Sequence, residues 1–511
     1  MRRRTPTGLL LGGVLAALLV FLPLASTLWD ATQFDLAEAG EILFRPLVGR
    51  LLLNTLSITA AATLVCALVG TAAAWCVERT TLRFRRVWAL LVAVPLAIPP
   101  FISSYAWLSI SADLQDFAGA LLVVCSVYYP LVFLPVSAAL RGMDPALEES
   151  ARALGLGPWA CFTRVVLPQL RHAILGGMLL VALGVLSEFG AFVLLRFRTF
   201  TTEIYAEYRS SFDSSGAALL ACVLIGLCVL CLLAEARVRG HARYHKPDRG
   251  TRRAALVYRL GWTRLPVLGG LALLVATALG VPLLAIGYWL TQTGADATTP
   301  VLATAALLWQ ATANSVQLGL AAALLTTALA LPLAILLVRY PGRWSSLLER
   351  CVFLAQGLPG IVVALAVVSI GITVLQPLYQ STAMLVVSYA ILFLPLALVN
   401  VHAAYAQVQP RLEEVARALG LSAWGTALRV VLPLAAPGLC AAGAMVFIAV
   451  VTELTATLML SPIGTLTLAT QMWSDTSTLA FAAAAPYAAL LVGISLLATW
   501  ALMSLLGNKN G

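Results

Sequence analysis

The sequence predicts an all-α polytopic membrane protein of about twelve transmembrane helices, in two parallel-orientation repeats of six. Three observations carry that prediction. Of 511 residues, 61% are hydrophobic and 11% charged, and the mean hydropathy of +0.94 lies far outside the soluble range. Twelve apolar stretches each reach the ~20 residues that cross the hydrocarbon. A 21-residue passage is written twice: residues 148–168 read EESARALGLGPWACFTRVVLP and 413–433 read EEVARALGLSAWGTALRVVLP, identical at 14 positions with an offset of 265. Alternation of period two is absent, which argues against a β-barrel.

The stretches fall near 7–28, 51–76, 87–110, 120–140, 173–195, 216–236, 266–289, 311–338, 349–375, 383–405, 438–460 and 483–507. Arg2, Arg3 and Arg4 ahead of the first fit a secretory signal. A matching helix opens the second half, however, so a retained first helix is the expectation. Nine cysteines, an odd number sitting almost entirely in apolar stretches, argue against a disulfide framework. The C-x-x-C at Cys228 and Cys231 lies inside a span and reads as packing.

Loop charge sets the topology. The amino terminus is basic, and 78–86 carries four arginines against one glutamate. Segment 29–50 has four acids against Arg45 and Arg50, and 111–119 carries Asp113 and Asp116. Both termini are placed in the cytoplasm of a bacterial inner membrane. Segment 196–215 has three arginines and three acids and is oriented outside only by parity. Segment 237–265 has eight arginines and one lysine against one aspartate, a net of +8. Between two blocks of six helices it reads as a cytoplasmic linker touching anionic lipid, not as a nucleic-acid site.

The halves align beyond the repeated passage. Asn54-Thr55 matches Asn314-Ser315, Ile98-Pro99-Pro100 matches Leu358-Pro359-Gly360, and Phe133-Leu134-Pro135 matches Phe393-Leu394-Pro395, all at an offset of 260. Five extra residues before Pro410 bring the offset to 265, and Glu188 then matches Glu453. The domains are therefore 1–236, with a cytoplasmic loop at 142–172, the linker 237–265, and 266–511, with the loop at 406–437. Equal orientation puts their pseudo-twofold axis along the membrane normal.

The repeated passage predicts a helix, a glycine turn and a second short helix. Asp144-Pro145 is a start signal that Pro410 repeats. Glu148, Glu149, Glu413 and Glu414 stand in first turns, where negative charge suits the helix dipole. Gly155 and Gly420 end the helices where a positive φ is required. The second helix, with Trp159/Trp424 and Arg164/Arg429, is expected to run to Leu167-Pro168 and Leu432-Pro433. The small residues Ala151, Ala153, Ala416 and Ala418 make a face that can be approached closely.

Glu-x-Ala-x3-Gly-x9-hydrophobic-x-Leu-Pro, at 149–168 and 414–433, resembles the signature loop of ATP-binding-cassette importer permeases. The resemblance implies a type I permease fold. It also implies coupling helices that dock on two copies of a cytoplasmic ATPase, through Glu148, Glu149, Ala151, Arg152, Gly155, Leu167 and Pro168 and through Glu413, Glu414, Ala416, Arg417, Gly420, Leu432 and Pro433. Ser150 stands where the family usually has alanine. The chain binds no cofactor of its own on this reading. Its only lysines, Lys246 and Lys509, lie outside any glycine-rich loop, so ATP and magnesium belong to the partner ATPase.

PLAIPPFISSYAWL at 95–108, VTELTATLMLSPIGTLTLATQMW at 451–473 and AAAAPYAALLV at 482–492 look like the fused ferric-iron importer permeases. That likeness implies an extracytoplasmic iron-binding protein as second partner. Fused thiamine and phosphonate-type permeases share the architecture. This chain also has Glu453-Leu454-Thr455-Ala456-Thr457-Leu458 where iron permeases commonly have Glu-Leu-Pro-Ala-Thr-Leu. The rival from another class is an ion-coupled secondary transporter, which gives no reason to duplicate a surface helix.

Ionisable groups within a span are costly and mark function. Ser187-Glu188 and Thr452-Glu453 are equivalent, and two readings stay open for their carboxylates: an acidic constriction for a hard cation, or hydrogen bonding to a broken helix. Pro99-Pro100 must interrupt its span, so Ser103, Ser104 and Tyr105 are further pathway candidates. His172, His241, His245 and His402 show no metal-ligand spacing, and no catalytic or firm metal site is expected.

Overall fold

The computed structural model describes residues 6–33, 35–211, 214–239, 257–292, 301–355 and 357–507. Arg2–Arg4, His241, His245, Lys246, Lys509 and most of the basic linker lie outside them. The described chain is helical, and its one bridge of strand type joins Thr80 to Tyr258. Among the described residues ten helices are long and apolar enough to cross a membrane. An eleventh counts if Arg85–Ala97 and Pro100–Ile110, bent by 92°, form one span, and Gly360–Thr373 is a shorter apolar helix. The stretches expected at 173–195 and 438–460 end at Ser187 and Val451, and the two departures at Pro99 and Pro359 share one cause. Pro99 and Pro359 lack an N–H, and each sits extended ahead of the helix it starts (ψ 146° and 144°).

The chain forms two compact units, Met1–Leu43 with Glu203–Ile225 and Gln292–Gly511, and Phe44–Thr202 with Gly226–Thr291. In the second, the Pro46–Arg79 helix packs on the Phe117–Gly142 and Pro158–Ser187 helices around Ile58, Val123, Phe133 and Val181. A Cβ on Gly70 would stand 2.8 Å from the Tyr129 carbonyl, and one on Gly177 2.8 Å from Val132 Cα. Two glycines thus let three backbones meet at Val132, the packing device of membrane helices. The Gly261–Thr291 helix joins this unit against Pro100–Ile110.

In the other unit the Val301–Arg339, Thr382–Ala406 and Trp424–Val451 helices pack around Leu333, Leu394 and Val446. The first helix, Thr7–Ala31, lies with them and buries Ala16, Ala17 and Val20. Each unit therefore holds most of one sequence half together with the leading helix of the other.

Candidate functional site

The twice-written passage folds the same way in both copies. Asp144 Oδ1 accepts the Ala146 N–H at 3.0 Å and starts the Ala146–Ala153 helix. It closes at Gly155, φ +85°, where Leu156 N–H reaches the Ala151 carbonyl (3.1 Å) and Gly155 N–H the Arg152 carbonyl (2.9 Å). Pro410–Ala418 closes identically at Gly420, φ +87°, with Leu421 to Ala416 at 3.1 Å and Gly420 to Arg417 at 3.0 Å. This paired closure needs a left-handed residue, hence glycine.

The second helix does not stop at Leu167-Pro168 as the sequence suggests. Pro158–Ser187 and Trp424–Val451 each continue as one apolar helix through a π turn, Phe162–Val166 and Ala427–Val431. There Leu167 N–H bonds the Phe162 carbonyl and Leu432 N–H the Ala427 carbonyl. The wider turn accommodates Pro168 and Pro433, whose rings would crowd the carbonyl four residues back. Leu167, Pro168, Leu432 and Pro433 accordingly sit where the surface passage enters the span.

Helical spacing divides the first helix into two faces. Glu148, Ala151, Glu413 and Ala416 are buried, whereas Glu149, Arg152, Glu414 and Arg417 are exposed. Ala153 and Ala418 are exposed too, so the alanines serve opposite sides rather than one close-approach face. Leu154 and Leu419 are 84% and 80% exposed, and Trp159 and Trp424 76% and 73%. Large apolar groups left open at matching positions are what a partner surface requires. Both pairs are identical in the two copies, a signal in the sequence, though none of the four is among the docking residues that the signature loop implies.

Beneath each helix is an ion pair that sequence reading missed. Arg79 Nη2 lies 2.9 Å from Glu148 Oε1 with both side chains inaccessible. Arg339 donates from Nε to Glu413 Oε1 at 2.8 Å and from Nη2 to the Val408 carbonyl at 2.7 Å. Tyr405 flanks the second pair, its ring 4.9 Å from the Arg339 guanidinium and its hydroxyl 3.5 Å from Glu413. Tyr258 flanks the first, donating its N–H to the Arg79 carbonyl at 2.8 Å, with its ring 4.7 Å from the Arg152 guanidinium. Burial first, and then Glu148, push the Tyr258 phenol above its usual range.

The two carboxylate candidates occupy breaks in helices. Glu188 follows the end of its span at Ser187. It accepts from the Ala191 N–H at 2.9 Å and the Tyr128 hydroxyl at 2.8 Å, starting the short Gly190–Leu194 helix. Glu453 follows Thr452 and accepts from the Thr455 and Ala456 N–H groups at 3.0 and 3.1 Å, starting Thr455–Leu460. A cavity of about 10 Å³, room for roughly one water, touches Glu453, Tyr389, Thr457 and Ser315. Each carboxylate thus has backbone partners of the kind its helix-bonding reading requires. Ser103, Ser104 and Tyr105 are buried in Pro100–Ile110, with Ser104 Oγ donating to the Pro100 carbonyl at 3.1 Å.

Two further pairs recur beside these breaks. Asn54 Nδ2 donates to the Arg198 carbonyl (2.9 Å) and Thr55 Oγ1 accepts from the Phe200 N–H (3.3 Å). Asn314 Nδ2 donates to the Leu466 carbonyl (2.9 Å) and Ser315 Oγ accepts from the Leu468 N–H (2.9 Å). Among the described residues no three His, Cys, Asp or Glu side chains gather as a metal site.

Binding-protein-dependent transport system inner membrane components match the chain at residues 67–239 and 327–505, spans whose starts differ by the same 260 as the sequence repeat. An Fe(3+)-transport system permease protein of Haemophilus influenzae is 34% identical over 498 residues, 96% of this chain and 97% of that one. A probable molybdenum ABC transporter permease of Haloferax volcanii is 30% identical over 240 residues, 44% of this chain and 87% of its own. A sulfate transport system permease protein of Escherichia coli is 25% identical over 235 residues, 42% and 85% of the two chains.

Proposed function

The chain belongs to the binding-protein-dependent transport system inner membrane components, and from that premise we propose that it imports ferric iron. It is a permease subunit of an ABC importer, a class that works with an ATPase and a substrate-binding protein. The iron reading rests on one observation: similarity to the Fe(3+) permease runs through nearly the whole fused chain, whereas the molybdenum and sulfate relatives align with less than half.

On this reading twelve spans form halves 1–236 and 266–511, joined by a cytoplasmic linker at 237–265, with both termini inside. Two ATPase copies dock on the repeated passages through Glu149, Glu414 and the open Leu154, Leu419, Trp159 and Trp424. The binding protein delivers iron outside, and the cation passes between the halves. Glu188 and Glu453 support the broken helices along its way. The half-length relatives favour one competitor, an oxyanion such as molybdate or sulfate.

Uptake of radioactive ferric iron in cells deprived of their own ferric importers tests the substrate. Uptake that depends on this chain and resists molybdate, sulfate and thiamine is expected. Labelled molybdate or sulfate entering in place of iron overturns the assignment. The double substitution Glu149→Arg/Glu414→Arg is expected to abolish uptake by weakening ATPase docking; unchanged uptake removes the docking role.

A further inference from the structure

We propose that Arg79 and Arg339 are positioning residues that latch each docking helix to the span above it, and that the linker completes the first latch with Tyr258. The proposal rests on the reading that the repeated passages dock the ATPase.

Each arginine is the last residue of a long helix, Pro46–Arg79 or Val301–Arg339, and each glutamate stands in the first half of a docking helix. Arg79 and Glu148 are wholly buried, and Arg339 and Glu413 nearly so. A buried ion pair is a poor source of stability, because desolvating both charges offsets their attraction, and well-packed apolar residues do as well. It does fix geometry: a planar guanidinium holds a carboxylate in few orientations, and removing either partner strands a charge. A lever that must move a span needs such a joint. The same ion pair occurs at matching positions in both halves.

The aromatic wall beside each joint has a different origin. Tyr405 comes from the helix just before its docking helix and meets both Arg339 and Glu413. The first half has no tyrosine between Tyr129 and Tyr205. Tyr258 arrives there from the linker. Its N–H donates to the Arg79 carbonyl, and its own carbonyl accepts the Thr81 N–H at 3.0 Å. Its ring lies against Trp75, centroids 5.4 Å apart, and under Arg152 of the docking helix. The segment after the basic run therefore grips the span end and the docking helix together, beyond tethering two halves.

The test uses the full transporter, with ATPase and binding protein, in proteoliposomes. Substrate moved per ATP hydrolysed is measured for Arg79→Gln, Arg339→Gln, Tyr258→Ala and Tyr258→Phe. Cysteines at Leu154 and Leu419 report crosslinking to the ATPase. Expected is a fall of about tenfold in the ratio for the arginine variants, within the roughly 5–150-fold span of coupling between sites, with crosslinking retained. Tyr258→Ala should lower the ratio and Tyr258→Phe restore it, and this pair decides the matter where an arginine variant fails to assemble. A merely structural role would lower assembly and leave the ratio of the assembled fraction alone. Crosslinks with an unchanged ratio in Arg79→Gln or Tyr258→Ala overturn the latch. Failure of the chain that carries only Leu154→Cys and Leu419→Cys to crosslink at either position overturns the docking reading instead.

Discussion

Glu188 and Glu453 show how far residue-level reasoning reaches. Their equivalence was legible from the 265-residue offset, and so was the cost of a carboxyl within a span. Their hydrogen-bond partners were not, because Tyr128 lies 60 residues from Glu188 and the capped turn depends on where the helix breaks. The two readings of these groups separate by substitution. A glutamine keeps an oxygen for the Thr455 and Ala456 N–H groups, whereas leucine strands both donors, at roughly 1–3 kcal/mol for each buried group left unsatisfied. Glu453→Gln is therefore expected to transport within about twofold of the parent, and Glu453→Leu to lower both uptake and thermal stability in detergent. An acidic constriction for the cation predicts the opposite for glutamine, with uptake lost despite an intact fold. Gly155 and Gly420 lie at the legible extreme, since a positive φ after a capped helix is a local demand that one residue type answers. Arg79 lies at the other: within the sequence it counts only as one more positive charge in a loop, and its burial with Glu148 exists only once two helices meet.

At the scale of elements, the helices were legible from apolar run length and the break at Pro99-Pro100 from proline, whereas the breaks at Glu188 and Glu453 have no proline to announce them. The count was harder. Pro99 and Pro359 convert single apolar stretches into bent or shortened helices, so run length alone overstates continuity. The opposite error occurred at Pro168 and Pro433, where a π turn carries the helix past a residue that normally stops it. Asn54-Thr55 and Asn314-Ser315 hold the segments beyond the broken spans, and in the sequence they are visible only as alignment markers. Both asparagines bond a carbonyl some 150 residues away, so no local pattern exposes them. Losing the exposed Asn54 bond costs about 0.5–1.5 kcal/mol, and losing the part-buried Asn314 bond, which strands the Leu466 carbonyl, roughly 1–3 kcal/mol. Asn54→Ala and Asn314→Ala should each lower the detergent melting temperature by a few degrees, and together by about the sum, since their sites share no partner. Asparagine to aspartate should do the same, because an ionised carboxylate has no proton to donate to Arg198 or Leu466. A double variant as stable as the parent would show these bonds to be idle.

At the scale of the molecule, repeat and compact unit are different divisions of one chain. The family matches run over 67–239 and 327–505, but Thr7–Ala31 packs with helices of the later stretch and Gly261–Thr291 with helices of the earlier one. The exchange is invisible to hydropathy, because an apolar helix carries no address. The contacts do carry one: a Cβ on Gly12 would stand 2.9 Å from Pro332 Cβ, and one on Gly13 2.9 Å from Leu336 Cδ1. Small residues at those positions let the leading helix approach the Val301–Arg339 helix closely. Either half made alone would therefore lack a packing helix and leave its own leading helix without a bed. Chains 1–239 and 257–511 should each be degraded when expressed singly and survive together, with uptake restored. Starting the second chain at residue 261 instead removes Tyr258 while keeping every long helix. Survival with a lowered yield of transport per ATP is expected for that pair, because the helices assemble but the first latch lacks its wall. Full uptake from 1–239 and 261–511 would reduce the linker to a tether, and stable accumulation of one half alone would sever the link between helix exchange and stability.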